Sequence, residues 1–196
     1  MVSPGRIAEL TRDAYAGDMP PRGDLASVDA VIGFSFGTYL SSDGKQVVCP
    51  GPVNEALAEM LVACEPLRSK PLALQEELAL AVRAQDRSLD GRIELVPTLD
   101  PNKPGKPRST LEVVSHVMPQ LIAQRVGSVA VVAFRHHMPR AEAHVRRVGL
   151  DTAVPDVRRV GDFDPDSPWP FIRSRSEWMK RELFAIAYFA VRDGLA

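Results

Sequence analysis

The stretch Phe134-Arg135-His136-His137-Met138-Pro139-Arg140-Ala141 places two imidazoles and two guanidinium groups within a few residues of one another. Imidazole changes charge close to neutral pH, and guanidinium grips carboxylate or phosphate through paired donors. An apolar run over residues 128–134 precedes the cluster, and an amphipathic run over 138–148 follows it. The cluster is therefore predicted to lie where a buried strand gives way to a helix. Unbonded N–H groups and the positive end of the helix dipole add to the cations there. On that helix His137, Arg140 and His144 are spaced three and four apart, so they share a face. This pattern predicts an anion site in which Arg140 and the helix start hold a phosphate or carboxylate and His137 exchanges a proton, with Arg135 and His136 as further contacts. The bland alternative leaves Arg135 and His136 as solvated turn residues and pairs Arg140 with Glu142 or a neighbouring acid.

A second cluster, Arg108-Ser109-Thr110-Leu111-Glu112, stands at another predicted helix start. Ser109 with Glu112 three residues on has the spacing of a capping box, each side chain meeting a backbone donor of the first turn. Thr110 is left to face a ligand. Glu112 could also hold His137 in one tautomer or take a proton from a substrate.

The third feature is Gly33-Phe34-Ser35-Phe36-Gly37, at the end of an apolar run over 28–36. Its glycines permit close approach of a bound group, and its N–H groups could form an anion-binding nest. It is neither a GxGxxG fingerprint nor a P-loop, and Ser35 is not in a GxSxG elbow. His136, His137 and His144 lack the spacing of a zinc site, so no metal is expected. Trp169, Phe171 and Trp178 read as anchors for a C-terminal helix rather than as pocket walls.

The elements that must carry these clusters follow from periodicity and punctuation. Helices are predicted over 4–15 with Ser3 as N-cap, from Asn54 as N-cap to Pro66, and over 76–89, 109–125, 138–148 and 174–191; Pro119 should bend or end the fourth. Strands are predicted over 28–36, 72–74, 93–96, 128–134 and 152–154, with a proline-rich loop over 97–107. Strands alternating with helices predict an α/β fold: a mostly parallel sheet with helices on both faces and a C-terminal helix. Ligands in such sheets bind at the carboxyl ends of the strands.

The 196 residues fit one domain, divided into an N-terminal helix and linker (1–27), a core (28–154) and a C-terminal helical extension (155–196). A net charge of −1 offers no general attraction for nucleic acid or an anionic membrane. No apolar run has the length of a membrane span, and the opening residues lack the apolar stretch of a signal peptide, so a cytoplasmic, reducing location is expected. Cys49 and Cys64 are then free thiols, Cys64 on an apolar helical face with Leu57, Met60 and Leu61. The expected partner is a small-molecule ligand.

The order of glycine-bearing first strand, Ser109-Thr110-x-Glu112 helix start, and buried strand leading into His137-Met138-Pro139-Arg140-Ala141 resembles the YdcF/SanA/ElyC-like bacterial proteins. The resemblance implies a Rossmann-like fold and carries over Gly33, Gly37, Thr110, Glu112, His137 and Arg140 as site residues. It implies S-adenosylmethionine as a ligand, whose sulfonium Glu76, Glu77 or Phe34 would face. The chain departs from that pattern in having Asn54 where the family has an arginine, and Gln75-Glu76-Glu77 in place of a Ser-Gly-Gly turn. The functional expectation is binding of a small anionic or nucleotide-like metabolite at the sheet edge, with catalysis left open; in the enzyme version His137, Glu112 and Arg140 act. Its alternatives are a regulatory module without turnover and a metal-independent hydrolase or transferase of a phosphorylated substrate.

Overall fold

Residues 30–33 are fully interior, and their β-branched side chains suit a strand covered on both faces; Ala30–Gly33 forms β1. The computed structural model describes residues 4–103 and 106–193. Ser3, the expected N-cap, lies outside the described residues, and α1 (Pro4–Ala16) leads into β1 through a linker. The apolar run continues past β1, yet Phe34, Ser35 and Phe36 leave the sheet as a loop.

A short antiparallel hairpin, β2 (Tyr39–Leu40) with β3 (Val47–Cys49), comes next. Its strands are too brief to register as periodicity. There follow α2 (Pro52–Ala63), α3 (Glu65–Arg68), β4 (Leu72–Gln75) and α4 (Glu76–Gln85). The helix expected over 76–89 breaks at Asp86, whose side chain accepts from the Ser88 N–H and caps a 3-10 segment, Arg87–Arg92. β5 is Ile93–Val96.

Beyond the proline-rich loop, α5 (Thr110–Ala123) passes through Pro119. The carbonyl that proline leaves unbonded belongs to Ser115, which is exposed, so water can satisfy it and the helix is not ended. β6 (Ser128–Val132), α6 (Met138–Arg147) and β7 (Asp151–Ala153) complete the alternation. A 3-10 turn, Pro170–Ile172, and the long α7 (Arg175–Asp193) follow.

The main sheet runs β5-β4-β1-β6-β7, with every neighbouring pair parallel. This is the doubly wound, Rossmann-like α/β arrangement: the chain moves outward from β1 in one direction and returns to start again at β6. The strand order therefore reverses between β1 and β6, and the crevice above that switch point is where such sheets bind ligands. Helices flank the sheet in two sets, α2 against α4, and α5 against α6 with α1. One apolar cluster runs from Leu10 through the strands to Ile186 of α7. No helix among the described residues is long and apolar enough to cross a membrane.

Candidate functional site

Two carboxamides fasten the loop that leaves β1. Gln75, at the end of β4, accepts the Ser35 N–H through Oε1 at 3.0 Å. Asn54 accepts the Phe36 N–H at 2.8 Å and donates from Nδ2 to the carbonyls of Pro50, Phe36 and Gly37. Asn54 is thus not the N-cap of α2. That position belongs to Gly51, at φ 77°, and Asn54 is turned inward and completely buried. The nest expected from this loop is correspondingly closed, since the Ser35 and Phe36 N–H groups already have partners. Gly33 serves packing: a Cβ there would lie 2.5 Å from Leu74 Cδ2 and 2.6 Å from Leu78 Cδ2. Gly37, at φ +84°, supplies the left-handed turn that the loop needs.

At the start of α6 the two histidines diverge. His137 is buried, and its ring stands edge-on to Trp178, 5.8 Å between centroids. Arg140 donates from Nη2 to His137 Nδ1 at 3.1 Å and from Nη1 to Thr110 Oγ1 at 2.7 Å. Its remaining partner is Glu182 of α7, bound through Nε and Nη2 at 2.8 Å each. Burial, and then the Arg140 charge, push the His137 pKa below its ordinary value. Burial would raise that of Glu182, but Arg140 outweighs it and holds the carboxyl at about 2.

The expected role of Arg140 changes accordingly. Its charge is already balanced by a fully buried carboxylate, so it is a buried ion pair before any ligand arrives. The acid is not Glu142, which pairs instead with Arg22.

Glu112 does not hold His137. It closes the capping box with Ser109, its carboxylate accepting the Ser109 N–H at 2.6 Å, and it pairs with Lys103. The place expected for Glu112 is filled by Glu182, whose Oε1 lies 3.9 Å from His137 Nδ1. Arg135 turns away to the Gly161 carbonyl and Asp162. His136 packs on Phe163 and contacts the Ala14 carbonyl at 2.8 Å. Arg135 stays partly exposed while His136 is buried rather than solvated, and neither lines the cavity.

That cavity, about 510 Å3, opens at the carboxyl ends of β1 and β4. Of the predicted residues it brings together Phe34, Ser35, Gly37, Ser109, Thr110, His137 and Arg140. Gly33 and Asn54 sit behind the wall. No family model, curated protein or solved structure matches the chain. What the site can hold must be read from its lining.

The lining is aromatic and cationic. Trp169, Phe171 and Trp178, expected only as anchors, form much of one wall, with Phe184 and Tyr188 of α7 at its side. They do anchor as well: Trp178 packs on Phe36 at 4.7 Å, and Trp169 Nε1 donates to the Thr38 carbonyl at 2.7 Å. Arg181 lies over the Phe171 ring, 3.8 Å from its centroid, and Arg108 is held through Nε by the Pro97 carbonyl. Among the described residues no aspartate or glutamate lines the cavity. Glu77 is buried behind the loop, where the hydroxyls of Thr38 and Thr98 donate to it; burial pushes its pKa up, and those hydrogen bonds only partly oppose the shift. Glu76 accepts the Thr98 N–H. Neither lines the cavity.

Arg181 and Glu182 escaped sequence reasoning, and Gln75 and Arg108 were named there without a role. Glu182 alone left a signal there: it stands four residues from both Trp178 and Ile186, a carboxylate within the apolar stripe of an amphipathic helix. Among the described residues, no group of three or more His, Cys, Asp or Glu is arranged to hold a metal ion.

Proposed function

We propose that this chain binds a small ligand joining a flat aromatic or heteroaromatic body to an anionic group, at the carboxyl edge of its sheet. The body lies among Trp169, Trp178 and Phe171, and the anion meets Arg108 and Arg181. The observation that carries this reading is the lining itself, which offers arginines and aromatic faces with no carboxylate among the described residues. An anion gains from such a surround, and a cation finds only ring faces. Nucleotide-like molecules fall within the class. So does S-adenosylmethionine through its adenine and carboxylate, its sulfonium resting on Phe34 or Trp178.

Binding without turnover is favoured over proton exchange. His137 engages Arg140 through Nδ1, Arg140 is paired with Glu182, and Glu112 is occupied by Ser109 and Lys103. The test compares indole-3-acetate with tryptamine, which share a ring system and differ in charge. Calorimetry should show binding of the acid and not the amine, with the acid weakened about tenfold in Arg181→Ala, as loss of a charged hydrogen-bonding partner implies. Equal binding of acid and amine, or no effect of Arg181→Ala, would sink the proposal.

A further inference from the structure

We infer that Thr110 is a specificity-determining donor, its hydroxyl hydrogen directed into the cavity toward a carboxylate or phosphate oxygen of the ligand. This inference rests on the proposed binding function and identifies which ligand atoms the inner end of the site accepts.

Guanidinium only donates, so the contact of Arg140 Nη2 with His137 Nδ1 at 3.1 Å requires Nδ1 to carry a lone pair. A proton on Nδ1 would face an Arg N–H head-on. The neutral ring therefore carries its hydrogen on Nε2, and Nε2 lies 3.4 Å from Thr110 Oγ1, a long contact in which the ring is the donor. Thr110 Oγ1 also accepts from Arg140 Nη1 at 2.7 Å. A hydroxyl has two lone pairs and one hydrogen. Both lone pairs are engaged by Arg140 and His137, which leaves the hydrogen as the only part of the group still unassigned, and Thr110 lines the cavity.

Gln75 is constrained in the same way. Its Oε1 accepts the Ser35 N–H, so its amide presents N–H donors on the cavity side. The carbonyls of Phe36, Gly37 and Thr38 are likewise occupied, by Asn54 and Trp169. A ligand ammonium, or the N–H side of an amide, placed against Thr110 would meet donor with donor and leave a buried polar hydrogen unsatisfied, and an amide carbonyl would accept there without a charge. An oxyanion meets complementary groups. Glu182 acts here as a positioning residue: it orients Arg140, which fixes the ring and the hydroxyl in turn.

The inference is tested in the full chain by two measurements. The first is 15N NMR of the histidine rings at pH 7, which should show His137 protonated at Nε2 and unprotonated at Nδ1. The reverse tautomer overturns the inference whether or not any ligand binds. The second is calorimetry with indole-3-acetate and its neutral analogue indole-3-acetamide. The acid should bind about tenfold more tightly than the amide, lose about tenfold in Thr110→Val, and stay within about twofold of the parent in Thr110→Ser, as expected for one hydrogen bond to a charged acceptor. Full affinity in a folded Thr110→Val protein overturns the role of Thr110. If Arg181→Ala still weakens the acid in that case, the proposed function stands without it. Failure of both substitutions to matter removes both.

Discussion

His136 and His137 are consecutive in the chain but protonated on opposite ring nitrogens. His136 Nδ1 lies 2.8 Å from the Ala14 carbonyl, which can only accept, so Nδ1 carries the hydrogen; Arg135 Nε approaches its Nε2 at 3.4 Å as a donor. His137 receives Arg140 at Nδ1 and is protonated on Nε2. One ring closes the end of α1, and the other faces the cavity. Both have pKa values lowered, chiefly by burial.

The division of labour predicts separable effects. His136→Ala should destabilise the protein by about 2 kcal/mol, because it removes one hydrogen bond and the stacking on Phe163. Hydrogen exchange should speed up at residues 14–17, where α1 ends. Affinity for indole-3-acetate should hold within about twofold, because His136 does not line the cavity. A large loss of affinity would contradict this assignment.

The Arg140–Glu182 pair predicts a non-additive cycle. Arg140→Met or Glu182→Leu alone strands a buried charge and should cost about 3–5 kcal/mol. The double variant strands neither, and urea unfolding should find it more stable than either single variant. If the two losses simply add, the pair is not a coupled buried unit.

Stability should depend on pH in two acid steps and one opposing term. His136 and His137, lowered from 6.5, keep their full contribution above that value and lose it as pH falls below 6.5, because the unfolded chain then binds protons the folded one refuses. Glu182, lowered from 4.5 to about 2, contributes fully above 4.5 and loses that contribution as pH falls through about 2. Glu77 is raised, so its ionisation weakens the fold as pH climbs above 4.5. Glu77→Gln can keep one threonine hydroxyl as a donor to its oxygen and donate from its NH2 to the other, without the charge. Denaturation midpoints should place this variant above the parent at pH 8 and without advantage at pH 4; the opposite order would reject the assignment.

Asn54 predicts a sharp contrast between a truncation and an isosteric replacement. Asn54→Ala should cost about 2–4 kcal/mol, since it leaves buried groups of Phe36, Gly37 and Pro50 unpaired. Asn54→Asp should cost more, because it turns a carboxylate toward three carbonyl oxygens that now accept from Nδ2. Thermal unfolding ranks the two, and an aspartate variant as stable as the parent would refute the role given to this amide.

The sheet was legible because its signals are local. The apolar runs at 28–36 and 128–134 contain β1 and β6, and the overshoot at each end has one cause: Phe34, Phe36 and Phe134 are interior without being in the sheet, and hydrophobicity reports burial rather than hydrogen-bonding state. The capping box of Ser109 and Glu112 was equally readable, since both partners lie within one helical turn. The two brief strands of the hairpin were not, being shorter than the period needed to detect them.

The amino-acid order by itself determined the alternation of strands and helices, and with it the parallel sheet and the edge at which sheets of this kind bind ligands. It also brought Thr110, His137 and Arg140 to that edge, because each stands at the first turn of a helix following a strand or loop. Tertiary structure alone decided what those residues do. Glu182 is 42 positions from Arg140, yet it neutralises that guanidinium, while Glu112, the expected partner of His137, is captured by its own helix start. Local periodicity fixes which way a side chain leaves the backbone; only the packing of distant helices fixes which charge waits there to meet it.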